Sequence, residues 1–97
     1  MRRSGYVALI HKDAGTSYGV SFPDFPGCIS AGDTMGEAIV NAAEALAGHI
    51  ALMRADGDRI PAARSEDAIR ADPGLREDVE GAAIRIVEPA ALPTHAA

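Results

Sequence analysis

Residues 18–34 read YGVSFPDFPGCISAGDT. Tyr18, Val20 and Phe22 alternate with Gly19 and Ser21, the period-two pattern of a strand with one face against a core. Two prolines three positions apart then break the pattern, and Cys28-Ile29-Ser30-Ala31-Gly32 reads as a second short strand. Thr34 stands three residues before Glu37, the spacing at which a hydroxyl cap and a carboxylate each satisfy the other's free backbone amide, so a helix starts there. The stretch thus predicts strand, stiff corner, strand and helix start in direct succession.

Upstream, Tyr6-Val7-Ala8-Leu9-Ile10 is apolar and too short for a stable helix, and the polar cluster from His11 to Ser17 ends it. It reads as a first strand joined to the next by a hairpin turn. Downstream, Met35, Ile39, Ala42, Leu46, Ile50 and Met53 form one stripe at spacings of three and four, with Glu37, Asn41, Glu44 and Gly48 opposite. Gly57 and Pro61 end that helix, which spans roughly residues 34–55. Ala83-Ile84-Arg85-Ile86-Val87-Glu88 alternates again and is stopped by Pro89, giving a fourth strand. The expected fold is α+β in the order β-β-β-α-β: a mixed four-stranded sheet ordered 3-2-1-4, with one long helix packed on one face. The fourth strand is expected parallel to the first, because a helical crossover usually returns that way. Residues 1–88 form the domain, and 89–97 are expected to be a mobile tail.

Between the helix and the last strand, residues 56–81 carry eight carboxylates against four arginines and hold most of the excess negative charge. Ser65 caps a short helix over Glu66–Ala71, halted by Asp72-Pro73-Gly74. The segment reads either as a solvated connection or as an electrostatic surface for a basic partner. With 97 residues, 47% hydrophobic but only 4% aromatic, one thin core is expected, and self-association would add buried surface. A net charge of −5 disfavours tight binding to a phosphate backbone. A lone cysteine cannot form an internal disulfide, and no secretory signal precedes the first strand, which points to a reducing cytoplasm. No apolar run is long enough to span a membrane.

Tyr18 to Cys28, then Ile29-Ser30-Ala31-Gly32-Asp33-Thr34, Glu37-Ala38 and Asn41-Ala42-Ala43-Glu44-Ala45-Leu46 together resemble the HicB family of antitoxins. The likeness covers about residues 5–60, with the last strand matching in position. It implies a fold similar to a truncated ribonuclease H domain. It also implies a protein that silences HicA, a small RNA-cleaving toxin with a double-stranded-RNA-binding-like fold. Longer relatives append a DNA-binding domain, and Pro89–Ala97 is too short to be one, so direct DNA binding by this chain is not expected.

The candidate partner-binding residues are Pro23, Asp24, Phe25, Pro26 and Gly27. Each proline disfavours helical backbone in the residue before it, and Phe25-Pro26-Gly27-Cys28 has the order of a type II turn. One reading makes the loop a corner that drops one phenylalanine into the core. The other makes it a stiff binding surface, exposing Asp24 and Phe25 and losing little entropy on contact. No catalytic residue, metal site or cofactor is expected. Ribonuclease H chemistry needs an acid in the first strand, and Tyr6–Ile10 has none. Cys28 reads as a core thiol, and His11, His49 and His95 have no metal-ligand spacing. The function expected is occlusion of a small basic toxin by an oligomeric antitoxin. The alternatives are an orphan self-assembling module and a metal-dependent nuclease remnant.

Overall fold

The computed structural model describes residues 5–12 and 14–91. Its strands are β1 (Tyr6–Lys12), β2 (Tyr18–Ser21), β3 (Ile29–Gly32) and β4 (Ala83–Val87), and its helices are α1 (Met35–Ala55), α2 (Glu66–Ala71) and α3 (Arg76–Val79). The sheet order is β3-β2-β1-β4, as expected. The expected mixed sheet is corrected, because β4 pairs antiparallel to β1, with Tyr6 opposite Val87 and Ile10 opposite Ala83. All neighbouring strands are therefore antiparallel.

The path of residues 56–82 supplies the reason. After α1 the chain passes the start of β1, where the Tyr6 hydroxyl donates to the Pro61 carbonyl at 2.6 Å. It crosses the far side of the sheet through α2, a 3-10 turn at Pro73–Leu75 and α3. It arrives at the end of β1, where His11 Nε2 meets the Asp78 carbonyl at 2.7 Å. Entering β4 from that end, the chain must run back antiparallel. The right-handed parallel return applies to a single crossover, whereas here the chain covers one face and then the other.

Two cores result. On the front face Tyr6, Ala8, Ile10, Val20, Phe22, Phe25 and Cys28 pack with Ala38, Ala42, Leu46 and Ile50 of α1. On the back face Val7 and Leu9 pack with Ile69 of α2, joined by Leu75, Val79 and Ile84. From α2 onward the acidic segment is thus a structural layer over this part of the sheet rather than a solvated connection, while Ile60 in its first part packs against the front core. Ser65 caps α2 as expected, accepting from the Ala68 amide at 3.1 Å.

The helix stripe is also as expected, with Ala42, Leu46 and Ile50 buried and Met35, Ile39 and Met53 packed at the margin of the core. Thr34 accepts from the Glu37 amide at 3.1 Å. Glu37, however, reaches the amide of Asp33 at 2.8 Å rather than that of Thr34, so the reciprocal bond is displaced by one residue. Asn41, expected on the wet face, donates to the Ala31 carbonyl at 2.9 Å and ties α1 to β3. The helix start presses on β3 so closely that a Cβ at Gly32 would stand 2.4 Å from the Ala38 nitrogen, which only glycine allows. Of the presumed tail, Ala90 donates to the Ala43 carbonyl at 3.0 Å and folds onto α1, while 92–97 lie outside the described residues.

Ile69 is fully buried, so its truncation tests whether the back layer is integral. Ile69→Ala is expected to cost about 2–5 kcal/mol in urea unfolding, as for other buried isoleucines. A loss below about 0.5 kcal/mol, the range of surface changes, would mean that the layer is not packed in solution.

Candidate functional site

The corner between β2 and β3 consists of two consecutive turns, each with proline at its second position. The Phe25 amide donates to the Phe22 carbonyl at 3.0 Å, and the Cys28 amide donates to the Phe25 carbonyl at 2.9 Å. Gly27 has φ +90°, as the third position of a type II turn requires. The predicted turn is therefore present.

Of the two readings of its side chains, the one that exposes Asp24 and Phe25 does not hold. Phe22 and Phe25 are 2% and 1% exposed, so both phenylalanines enter the core rather than one. Phe25 packs edge-on to Tyr6 at a centroid distance of 4.7 Å and to His49 at 5.8 Å. The Asp24 side chain is only 3% exposed and ion-paired to Arg64 Nε at 2.6 Å. Its second oxygen accepts from the Arg64 backbone amide at 3.0 Å. The physical reason is turn geometry: an apolar side chain beside two turn hydrogen bonds has nowhere to go but inward, and a carboxylate next to it needs a partner. Pro26 and Gly27 are exposed and Pro23 is half-buried.

The loop nevertheless borders an open surface. The sheet register aligns Leu9, Ser21 and Ile29 across three strands on the back face. The back layer covers Leu9 but stops short of Ile29, which is 72% exposed. The result is a depression of about 280 Å3, with Pro23, Phe25, Pro26 and Gly27 on one side and Leu75 and Asp78 on the other. It continues over Gly19, Ser30 and His11 toward the sheet edge. Four of the five expected residues thus line one groove, and the fifth, Asp24, anchors the loop from behind.

Ile29, Leu75, Asp78 and Arg64 were not singled out from the sequence. Ile29 was within reach, because strand alternation puts it on the same face as Ser21 and, one strand further, Leu9. Leu75, Asp78 and Arg64 come from a segment that carries no local signal of where it docks.

Arg64 also donates through a terminal nitrogen to Asp72 at 3.1 Å, and Asp72 accepts from the Gly74 amide at 2.9 Å. Hydrogen bonding to Asp24, and secondarily to Asp72, raises the Arg64 guanidinium pKa further, with burial opposing. Burial alone pushes the Cys28 thiol up from its ordinary value. Burial also raises the Tyr6 phenol, aided by the Asp24 charge and opposed by Arg54. Among the described residues no three His, Cys, Asp or Glu side chains converge to hold a metal ion, and no helix is long and apolar enough to cross a membrane.

The comparisons with known proteins agree with this architecture. Residues 6–95 match a family described as HicB-like antitoxin of bacterial toxin–antitoxin systems. A 14.9 kDa protein from the rep–hol intergenic region of Haemophilus phage HP1 is 54% identical over 56 residues, which is 58% of this chain and 41% of that one. The chain therefore spans about two fifths of that relative's length. The crystal structure of the Burkholderia pseudomallei antitoxin HicB superposes with a TM-score of 0.75 at 27% identity, covering 96% of this chain and 75% of that one. A solved HicA3–HicB3 toxin–antitoxin complex contains a chain that superposes at 0.67 with 32% identity, covering 86% of this chain and 94% of that one.

A raised thiol pKa favours the neutral form, so Cys28 should resist alkylation in the folded protein. The associated stabilisation is fully present below the ordinary thiol pKa and is lost as pH rises through the folded one. Iodoacetamide labelling followed by mass spectrometry should therefore be slow near neutrality and accelerate on unfolding. Labelling of the native protein as fast as a free peptide thiol would contradict its burial.

Proposed function

Because the chain belongs to the HicB-like antitoxins, we propose that it neutralises a small basic RNA-cleaving toxin of the HicA type by covering it, using the back-face groove as its contact surface. The observation that carries this reading is the groove itself: an apolar floor with Ile29 72% exposed, a rigid proline loop, and Leu75 with the carboxylate of Asp78 from the back layer. An exposed β-branched side chain beside a shaped depression supplies a buried anchor for a partner. The two proline turns hold the wall in place before contact, so little entropy is lost on binding.

The electrostatics support the same partner. Glu66, Asp67, Glu77, Asp78 and Glu80 on the back layer are all exposed, against Arg70 and Arg76. A toxin that grips RNA presents cationic surface, and an acidic layer beside the groove would steer it there and speed association. The function needs no chemistry from this chain. The acids at the loop and helix start are engaged in structure: Asp24 with Arg64, Asp72 with Arg64 and Gly74, and Glu37 with the Asp33 amide.

Self-association forms the second part of the proposal. Val40 and Leu52 on the outer side of α1 are 59% and 63% exposed, and Ile86 on β4 is 58% exposed. Val40 and Leu52 belong to the helix on the front face, and Ile86 is on the back face at the edge strand farthest from β3, so these residues offer contact surface outside the groove lining.

Ile29→Glu is expected to keep the fold, since the side chain is exposed, and to weaken binding of a purified HicA-type toxin by about 30-fold, as for an interface hot spot. Titration calorimetry measures this, and circular dichroism checks the fold. Unchanged affinity would place the interface elsewhere, and RNA cleavage by the purified chain alone would overturn the occlusion mechanism.

A further inference from the structure

Asp24, Arg64 and Asp72 form a continuous polar junction between the two walls of the groove. Asp24 occupies the third position of the first proline turn, and its side chain is 3% exposed. A carboxylate that poorly hydrated needs a paired charge with matched geometry, which the planar guanidinium supplies. Arg64 meets it twice, from Nε at 2.6 Å and from its own backbone amide at 3.0 Å. The loop is therefore fastened to residue 64 through main chain and side chain together.

The other end of the guanidinium reaches Asp72 at 3.1 Å. Asp72 is the cap of the 3-10 turn, accepting from the Gly74 amide at 2.9 Å through its side chain and from the Leu75 amide at 3.0 Å through its carbonyl. Leu75 and the proline loop both line the depression, one from the back layer and the other from the β2–β3 corner. A single side chain thus bridges the loop at Asp24, 40 residues before it, and the turn at Asp72, 8 residues after it, two segments that both contribute to the groove lining. The Asp72 arm is the solvent-facing one, with side chains 38% and 36% exposed. Such an exposed pair adds little stability, so its contribution is to geometry.

We infer that Arg64 is a positioning residue that sets the spacing of the groove walls, and through it the fit of the toxin. This deepens the antitoxin reading and rests on it for the identity of the partner. Arg64 does not face the groove, so it acts through Pro23 and Phe25 on one wall and Leu75 on the other.

Two measurements on Arg64→Ala and Arg64→Lys test this. The first needs no partner: amide hydrogen exchange by NMR. In Arg64→Ala the Phe25, Cys28 and Gly74 amides are expected to exchange about tenfold faster, while those of β1 and α1 keep their rates. Lysine retains the charge and the backbone bond to Asp24 but lacks the fork that holds two carboxylates. Arg64→Lys should accordingly restore Phe25 and Cys28 and leave Gly74 fast. Should Arg64→Ala not fold, Arg64→Lys alone carries the test through Gly74. Unchanged exchange at Gly74, or acceleration spread evenly over β1 and α1, overturns the inference.

The second measurement titrates the same HicA-type toxin into Arg64→Lys, with an expected loss of about tenfold in affinity. If Ile29→Glu abolishes binding while Arg64→Lys binds normally, Arg64 does not position the site. If Ile29→Glu is itself without effect, the groove reading fails, and the exchange pattern still decides whether Arg64 couples the walls.

Discussion

Tyr6 through Ile10 are buried without interruption, so both faces of β1 are removed from water. Successive residues of a strand point to opposite sides, and a strand apolar on both sides is stable in water only between two layers. One helix cannot satisfy that demand. α1 covers Tyr6, Ala8 and Ile10, which leaves Val7 and Leu9 for something else to cover. The acidic segment meets the requirement with Ile69, Leu75 and Val79, although most of its side chains are polar. From this follow the crossing of the back face, the arrival at the far end of β1, and the antiparallel β4.

The two layers are unequal, and the inequality produces the groove. α1 lies over β2 and β3 on the front. The back layer is short and rests on β1 and β4, so the back of β3 stays bare, and Ile29 with it. The proline corner borders the bare region because it joins the two strands that the back layer fails to cover. Its rigidity comes from within, through two turn hydrogen bonds and two proline rings, and from without, through the Asp24–Arg64 pair. Breaking such a pair by removing one partner leaves an uncompensated buried charge, which makes the junction a strong constraint even if its net stabilisation is small.

Most of the chain's elements were legible locally. Alternation identified β2 and β4, the Thr34 cap and the apolar stripe identified α1, and proline followed by glycine identified the type II turn at Phe25–Cys28. These signals work because each depends on neighbours within a few residues. The unbroken apolar run of β1 was legible as a strand, yet its further meaning, a strand buried on two faces, went with an expectation of one helix and one covered face. The candidate site was legible only in part. Of the two readings of the proline loop, the corner is the one its side chains follow, with both phenylalanines inside rather than one, Asp24 turned in, and the accessible surface left to Ile29, Pro26 and Gly27.

What the amino-acid order determined alone is the four strands, α1 and α2 with their caps, the type II turn and the family likeness, since propensity, periodicity and capping are short-range effects. The sheet order followed from a general rule of chain connection, and the 3-10 turn and α3 went unread. What only the tertiary structure decided is the direction of β4, the role of residues 56–81 as a second layer, and the pairing of Arg64 with Asp24. Those outcomes depend on where a weakly apolar segment finds uncovered hydrophobic surface and where a buried carboxylate finds a cation. Both are competitions among distant partners that local sequence does not encode.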